Sequence, residues 1–372
     1  MSNSRTLQLS LALFSVFWLY LDSASANENV VGRPRPGLAI SEQDTSGAQV
    51  RARTLTDPSK LSEKIRAIMG VRVIQVPGQP QAAPMALPPQ PLNGQNHPFT
   101  TKNASADGGI DPVNKYPWRA AGKMFMKFGP STFVCTASVI GKNLLVTAAH
   151  CVHNFGGKEG GFADSITFEP ARHGSGAAAK PFGTWTAKEW WISKAYFDGT
   201  DICSTNAPGV VCENDLAVVV LEKNNDQFVA DLTGKFGFKT DDYGYGSFFG
   251  NKAAQITQLG YPSDNYDGLK MIRTDSLGYQ DAPNNVIIGS AQTGGSSGGP
   301  WLQNFGMKTS YSGTQPLNDE DNQVVATTSW GFTSDVFMIQ GGSRFGKNAT
   351  YTVKSNIQSL HDTACGANPG FC

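Results

Sequence analysis

The octapeptide Thr293-Gly294-Gly295-Ser296-Ser297-Gly298-Gly299-Pro300 constrains this chain most when it is read with Thr147-Ala148-Ala149-His150-Cys151 far upstream. Its glycines allow backbone turns that a Cβ would penalise. The apolar residues 286–288 before it and Trp301-Leu302 after it make it an ordered loop between strands rather than a linker. Between the two motifs, Glu213-Asn214-Asp215 runs into Leu216-Ala217-Val218-Val219-Val220-Leu221, a β-branched run that predicts a buried strand with a carboxylate shielded at its mouth. A serine hydroxyl becomes a useful nucleophile only with an imidazole in reach and a carboxylate to hold that imidazole's tautomer. Ser297, His150 and Asp215 are the candidates for these three roles. The amides of Gly295 and Ser297 are the candidate donors to an oxyanion.

The rest of the chain predicts an all-β fold. Glycine is abundant, 41 of 372 residues, and short β-branched or aromatic runs at 133–140, 144–147, 216–221, 256–261, 286–288 and 324–330 alternate with turn signals. Strands this short and this spaced point to barrels rather than βαβ units. One late helix is predicted over 351–362, apolar at Val353, Ile357 and Leu360.

The segment Cys135-Thr136-Ala137-Ser138-Val139-Ile140 leading to Ala149-His150-Cys151, then Asn214-Asp215-Leu216-Ala217, then Gly295-Ser296-Ser297-Gly298-Gly299-Pro300, resembles the chymotrypsin superfamily of serine proteases over roughly residues 107–365. The order His, Asp, Ser is that superfamily's order. Leu259-Gly260-Tyr261-Pro262 and Ser296 are similar to bacterial trypsin-like peptidases related to the glutamyl endopeptidases. The resemblance implies two six-stranded antiparallel β-barrels followed by a C-terminal α-helix, with His150 and Asp215 from the first barrel and Ser297 from the second. It implies a disulfide between Cys135 and Cys151. It also implies a substrate pocket walled by Ala291 and Gln292 and by Ser329, Trp330 and Gly331, with Ser329 bonded to Asp215 and residues 329–331 pairing with an extended substrate.

This sequence departs from the pattern at three places. Trypsin-like enzymes carry an aspartate directly before the nucleophile, which pairs with a newly cut N-terminal amine, and Ser296 cannot form that ion pair. Basic-specific enzymes would place an aspartate at Ala291, and glutamyl endopeptidases a histidine beside the tryptophan, where this chain has Thr328 and Ser329 before Trp330. Asp335 is a candidate for the pocket floor.

Nearest-neighbour pairing would join Cys203 to Cys212 and Cys365 to Cys372, although six cysteines allow fifteen connectivities. Disulfides imply an oxidising compartment. Arg5, the apolar run 7–21 and Ala24-Ser25-Ala26 form a secretory signal over residues 1–26, so the expected location is extracellular or periplasmic. The run is too short for a stable membrane anchor. Residues 27–105, with a helical candidate at 58–69 and seven prolines from Pro77 to Pro98, read as a propeptide and linker, here termed the leader. Residues 106–372 would form the protease domain.

Lys+Arg and Asp+Glu balance at 30 each, which offers nucleic acid no electrostatic handle. A zinc reading of His150, Cys151 and His153 lacks a second Cys/His pair at ligand spacing, and no cofactor motif occurs. Expected partners are protein or peptide substrates of a monomeric serine endopeptidase. The alternatives are a catalytically silent binding or adhesion protein on the same fold, and an esterase, whose Gly-x-Ser-x-Gly elbow between strand and helix is not seen around Ser297.

Overall fold

The computed structural model describes residues 27–34, 38–50, 53–55, 98–104, 112–204, 209–248, 251–282, 285–307, 320–332 and 337–372. The signal segment, the candidate helix at 58–69, the proline-rich stretch short of Pro98, and Asp335 lie outside the described residues.

The leader supplies β1 (Val30–Pro34), the short helix α1 (Glu42–Ser46), β2 (Gln49–Val50), β3 (Arg53–Leu55) and β4 (Phe99–Asn103). Then come β5 (Ala121–Phe128), β6 (Ser131–Val139), β7 (Leu144–Thr147), the single turn α2 (Ala149–Val152), β8 (Ser165–Pro170), β9 (Trp185–Ser193), α3 (Lys194–Asp198) and β10 (Ala217–Leu221). The second half runs from α4 (Val229–Thr233) through β11 (Gly237–Phe238), β12 (Gly246–Phe248), β13 (Asn251–Gly260), β14 (Ile272–Ala282) and β15 (Asn285–Gly289). It ends with β16 (Pro300–Gln303), β17 (Gln323–Phe332), β18 (Ile339–Arg344) and α5 (Asn356–Ala367).

Strands β9, β10, β7, β6, β5 and β8 pair in that order, and β8 returns to β9 to close the ring. Strands β13, β16, β17, β18, β15 and β14 do the same, closed by β13 on β14. The result is two closed six-stranded antiparallel barrels, the arrangement by which short strands lose their sheet edges.

Side-chain alternation explains why the strands read as unbroken apolar runs. Along β10, Ala217, Val219 and Leu221 enter the first barrel with Leu145, Trp185 and Trp190. Val218 and Val220 point the other way, into a second core shared with Leu259, Leu302, Ile357 and Leu360. Successive strand residues face opposite sides, and here both sides are dry, so the usual polar alternation is missing.

The C-terminal helix begins later than its expected start. The Ser355 hydroxyl accepts from the Gln358 amide and caps α5, leaving Val353 ahead of the helix and 82 % exposed. A serine at this position satisfies an amide that the first turn cannot. The buried stripe is Ile357, Leu360 and Ala364, one turn further along than residues 353, 357 and 360.

Candidate active site

Asp215 sits immediately before β10, and its position is set by the segment preceding it. The Asp201 carboxylate accepts from the Asn214 amide at 2.8 Å and from Asn214 Nδ2 at 2.7 Å, while Asn214 Oδ1 accepts from Asn348 and Asn356. The second barrel and α5 thus help to hold a residue of the first.

Three donors converge on the Asp215 carboxylate. The His150 amide bonds Oδ1 at 2.8 Å, His150 Nδ1 lies 2.7 Å from Oδ2, and Ser329 Oγ donates to Oδ2 at 2.6 Å. His150 and Asp215 are each 1 % exposed. Burial alone would raise the Asp215 pKa, but the charge interaction with His150 and these hydrogen bonds outweigh it and hold the carboxyl below its ordinary value. An ionised Asp215 beside Nδ1 favours the tautomer with its proton on Nδ1, which leaves the lone pair on Nε2.

The turn carrying Ser297 packs against the elements around His150. The Thr136 amide donates to the Ser297 carbonyl at 2.8 Å, and Thr136 Oγ1 donates to the Gly295 carbonyl at 2.9 Å. Gly298 has φ +77°, and a Cβ there would lie 2.0 Å from Thr147 Oγ1 and 2.4 Å from the Thr136 carbonyl, so no side chain fits. Gly295 has φ +99°, and its missing Cβ would meet the Tyr261 carbonyl at 2.4 Å. The amides of Gly295 and Ser297 donate to no protein acceptor among the described residues. Cys135 and Cys151 are joined by a disulfide, which ties β6 to α2 beside His150.

Ser296 is held by neutral groups. Its hydroxyl donates to the Thr293 carbonyl at 2.6 Å and accepts from Gln340 Nε2 at 3.0 Å. Order in this turn therefore needs no ion pair with a new N-terminus.

With this geometry in view, the profile of the family described as Trypsin matches residues 108–336. The chain belongs to the trypsin family. Among curated relatives, the glutamyl endopeptidase of Bacillus licheniformis is 24 % identical over 232 residues, 61 % of this chain and 64 % of that protein. A protein named extracellular metalloprotease from Bacillus subtilis is 31 % identical over 94 residues, 25 % of this chain and 28 % of its own length. The chain therefore spans less than two thirds of each of these relatives. The solved structure of the protease Anisep from Arthrobacter nicotinovorans, 24 % identical, superposes with a TM-score of 0.50 over 68 % of this chain and 97 % of the other, a likeness of fold.

The residues that the trypsin-family resemblance assigns to the pocket have unequal environments. Ser329 is fully buried and serves Asp215. Trp330 is 2 % exposed and packs with Val211, Ala253, Tyr279, Ile287 and Ile339, a cluster on the face of β13 and β15 opposite to that of Ile256 and Ile288. Gln292 is buried with its amide nitrogen bonded to the Ile272 carbonyl and to Thr274 Oγ1, whereas Ala291 is partly exposed. Gly331 pairs with Gln340 across β17 and β18.

The network beneath the Ser296-Ser297 turn has no signature in the sequence. Ser290 Oγ donates to Gln258 Oε1, Gln258 Nε2 to Thr328 Oγ1, and Trp301 Nε1 to the same Thr328 oxygen. Gln340 joins Gln258 to Ser296. The other two disulfides join Cys203 to Cys212 and Cys365 to Cys372. Where Cys135, Cys151 and His150 come together, both thiols are consumed in a disulfide.

Two expectations arise from this site. Ser329→Ala removes one charge-assisted bond to Asp215, an interaction of about 1.5–3 kcal/mol, so kcat/KM on a peptide substrate should fall roughly 10- to 100-fold. The second concerns pH. Burial pushes the Asp201 carboxyl up to about 6 against its Asn214 bonds, and burial followed by the Asp201 charge pushes Glu213 up to about 7. A carboxyl raised on folding contributes stability that is complete below its unfolded pKa and lost as pH climbs through its folded one. Denaturation midpoints should therefore decline between about pH 4 and about pH 7, and Asp201→Asn should flatten that decline.

Proposed function

We propose that this chain is a secreted serine endopeptidase that hydrolyses peptide bonds by acyl transfer, with Ser297 as nucleophile, His150 as base and Asp215 as its orienting carboxylate. The observation that carries the reading is the convergence of His150 and Ser329 on the buried Asp215, next to a turn whose Gly295 and Ser297 amides have no protein acceptor among the described residues. Membership of the trypsin family and likeness to a glutamyl endopeptidase support it.

Ser297 Oγ attacks the scissile carbonyl as His150 takes its proton, and the oxyanion settles on the amides of Gly295 and Ser297. His150 returns the proton to the leaving amine, and water then releases the acyl group by the same route. Asp215 stays ionised and stabilises the imidazolium. The substrates are proteins or peptides, the P1 side chain entering between Ala291-Gln292 and residues 329–331. Export follows the signal segment 1–26, and the leader is a propeptide removed near residue 105. Among the described residues no helix is long and apolar enough to cross a membrane.

A fluorophosphonate probe on the secreted, processed protein tests this reading. Labelling is expected on the tryptic peptide containing Ser297 and absent in Ser297→Ala. A folded, processed parent that stays unlabelled would instead support a binding protein on a protease scaffold.

A further inference from the structure

The leader touches the molecule on both flanks of the triad. On one side β2 pairs with β6, Gln49 opposite Phe133 and Val50 opposite Val134, directly before Cys135 and the disulfide beside His150. On the other side β3 pairs with β17, Arg53 opposite Trp330, Thr54 opposite Gly331 and Leu55 opposite Phe332, directly after Ser329. Val50 and Arg53 are three positions apart, which an extended chain spans in about 10 Å. One leader segment therefore reaches an edge of each barrel next to the catalytic residues.

Both pairings are parallel, whereas the ring strands of the two barrels are antiparallel. A substrate whose P1 side chain enters between Ala291-Gln292 and residues 329–331 lays its acyl half along β17 and its leaving half toward β6. Its chain runs from β17 to β6. The leader runs from β6 to β17. Over these edges a substrate pairs antiparallel, and the leader is its reverse.

Charge and packing hold the leader in place upstream of β2. Glu42 pairs with Lys180 at 2.6 Å and Asp44 with Lys127 at 3.1 Å. The Ile40 amide donates to Thr167 Oγ1, and the Ile40 side chain is buried against Phe125 and Val134. Under α1 lies a cavity of about 440 Å³ whose wall carries Lys123, Arg172 and Lys180.

We infer that leader residues Ile40–Val50 and Arg53–Leu55 are a built-in inhibitor, bound along the substrate-pairing edges of the cleft in reversed polarity. The inference rests on the serine endopeptidase reading of the site. Reversal explains how a peptide can lie beside an intact triad without being its substrate. With the chain direction inverted, a carbonyl placed at the oxyanion donors does not also direct its amide nitrogen toward His150.

The test inserts a foreign protease site into the proline-rich stretch at 77–98 of the full chain. The folded protein is nicked and its leader fragment stripped at high salt, which screens the two ion pairs. Circular dichroism before and after stripping checks that the body stays folded. Fluorophosphonate labelling of Ser297 should be at least about tenfold slower in the uncut chain than in the stripped protein, the change that about 1.4 kcal/mol makes in an equilibrium. Glu42→Lys with Asp44→Lys should speed labelling of the uncut chain. Adding Lys127→Glu should slow it again by restoring one pair.

A synthetic peptide of residues 38–55 should inhibit the stripped protein and be recovered intact by mass spectrometry. Equal labelling rates before and after stripping would overturn the inhibitor role and leave the catalytic reading standing. Cleavage of the peptide between residues 50 and 53 would overturn the reversed polarity. A folded, stripped protein that never labels would overturn the catalytic reading and the inhibition together.

Discussion

Ser297→Ala is expected to lower kcat by about 10⁶-fold while leaving the fold intact. The size follows from the chemistry, because without an attacking oxygen no acyl-enzyme forms and His150 has no proton to take. What remains is the slower direct attack of water, assisted by the oxyanion donors. Retention of the fold follows from the structure. Ser297 Oγ makes no hydrogen bond to protein among the described residues, so its loss orphans no buried partner, and the turn is held by backbone bonds from Thr136 and to Thr328. Steady-state kinetics beside a thermal melt of both proteins checks this. A variant retaining more than about 1 % of the parental kcat would remove Ser297 as the nucleophile.

Asp215→Asn is the second large effect, a fall in kcat of about 10⁴-fold at neutral pH. The carboxylate now accepts from three donors, the His150 amide, His150 Nδ1 and Ser329 Oγ. A carboxamide of the same shape has one acceptor oxygen and an NH₂ group. Keeping the bond from the His150 amide turns that NH₂ toward Nδ1, which must then be an acceptor. The proton moves to Nε2, and the imidazole faces the serine with a hydrogen instead of a lone pair. KM should change little, since Asp215 is buried and out of reach of substrate. A loss confined to KM would show that Asp215 serves binding rather than the tautomer.

The fold was legible because closed barrels leave a strong pattern of short β-branched runs between turns. β6, β7, β10, β13, β15 and β17 each overlap a run visible in the sequence. The helix at the C-terminus was visible but displaced, because the apolar pattern at 353, 357 and 360 competes with the same pattern moved one turn later, and the Ser355 cap decides between them. β4 was not legible, since Phe99–Asn103 carries threonines and a lysine on an outer strand and owes its conformation to pairing with β14.

At the site, the Gly-rich turn and the Ala-Ala-His-Cys string are local motifs, so their residues could be named without a structure. Their supports could not. Gln258, Thr328 and Gln340 are ordinary polar residues whose bonds join positions 70 and 82 apart, and only closure of the second barrel brings them under Ser296. Asn214, Asn348 and Asn356 are joined across the barrels in the same way, with separations of 134 and 142 positions.

By itself the sequence named the candidate residues of the proposed chemistry, because a nucleophile, a base and an oxyanion turn need particular side chains and particular glycines at close spacing, and such demands are written locally. It also determined the class of fold, through strand length and periodicity. Only the tertiary structure decided where each barrel closes, which neutral amides brace the turn at Ser297, and in which direction the leader pairs with β6 and β17. Those outcomes depend on hydrogen bonds between residues distant in the chain, and backbone pairing leaves no trace in side-chain identity, since every non-proline residue carries the same donor and acceptor.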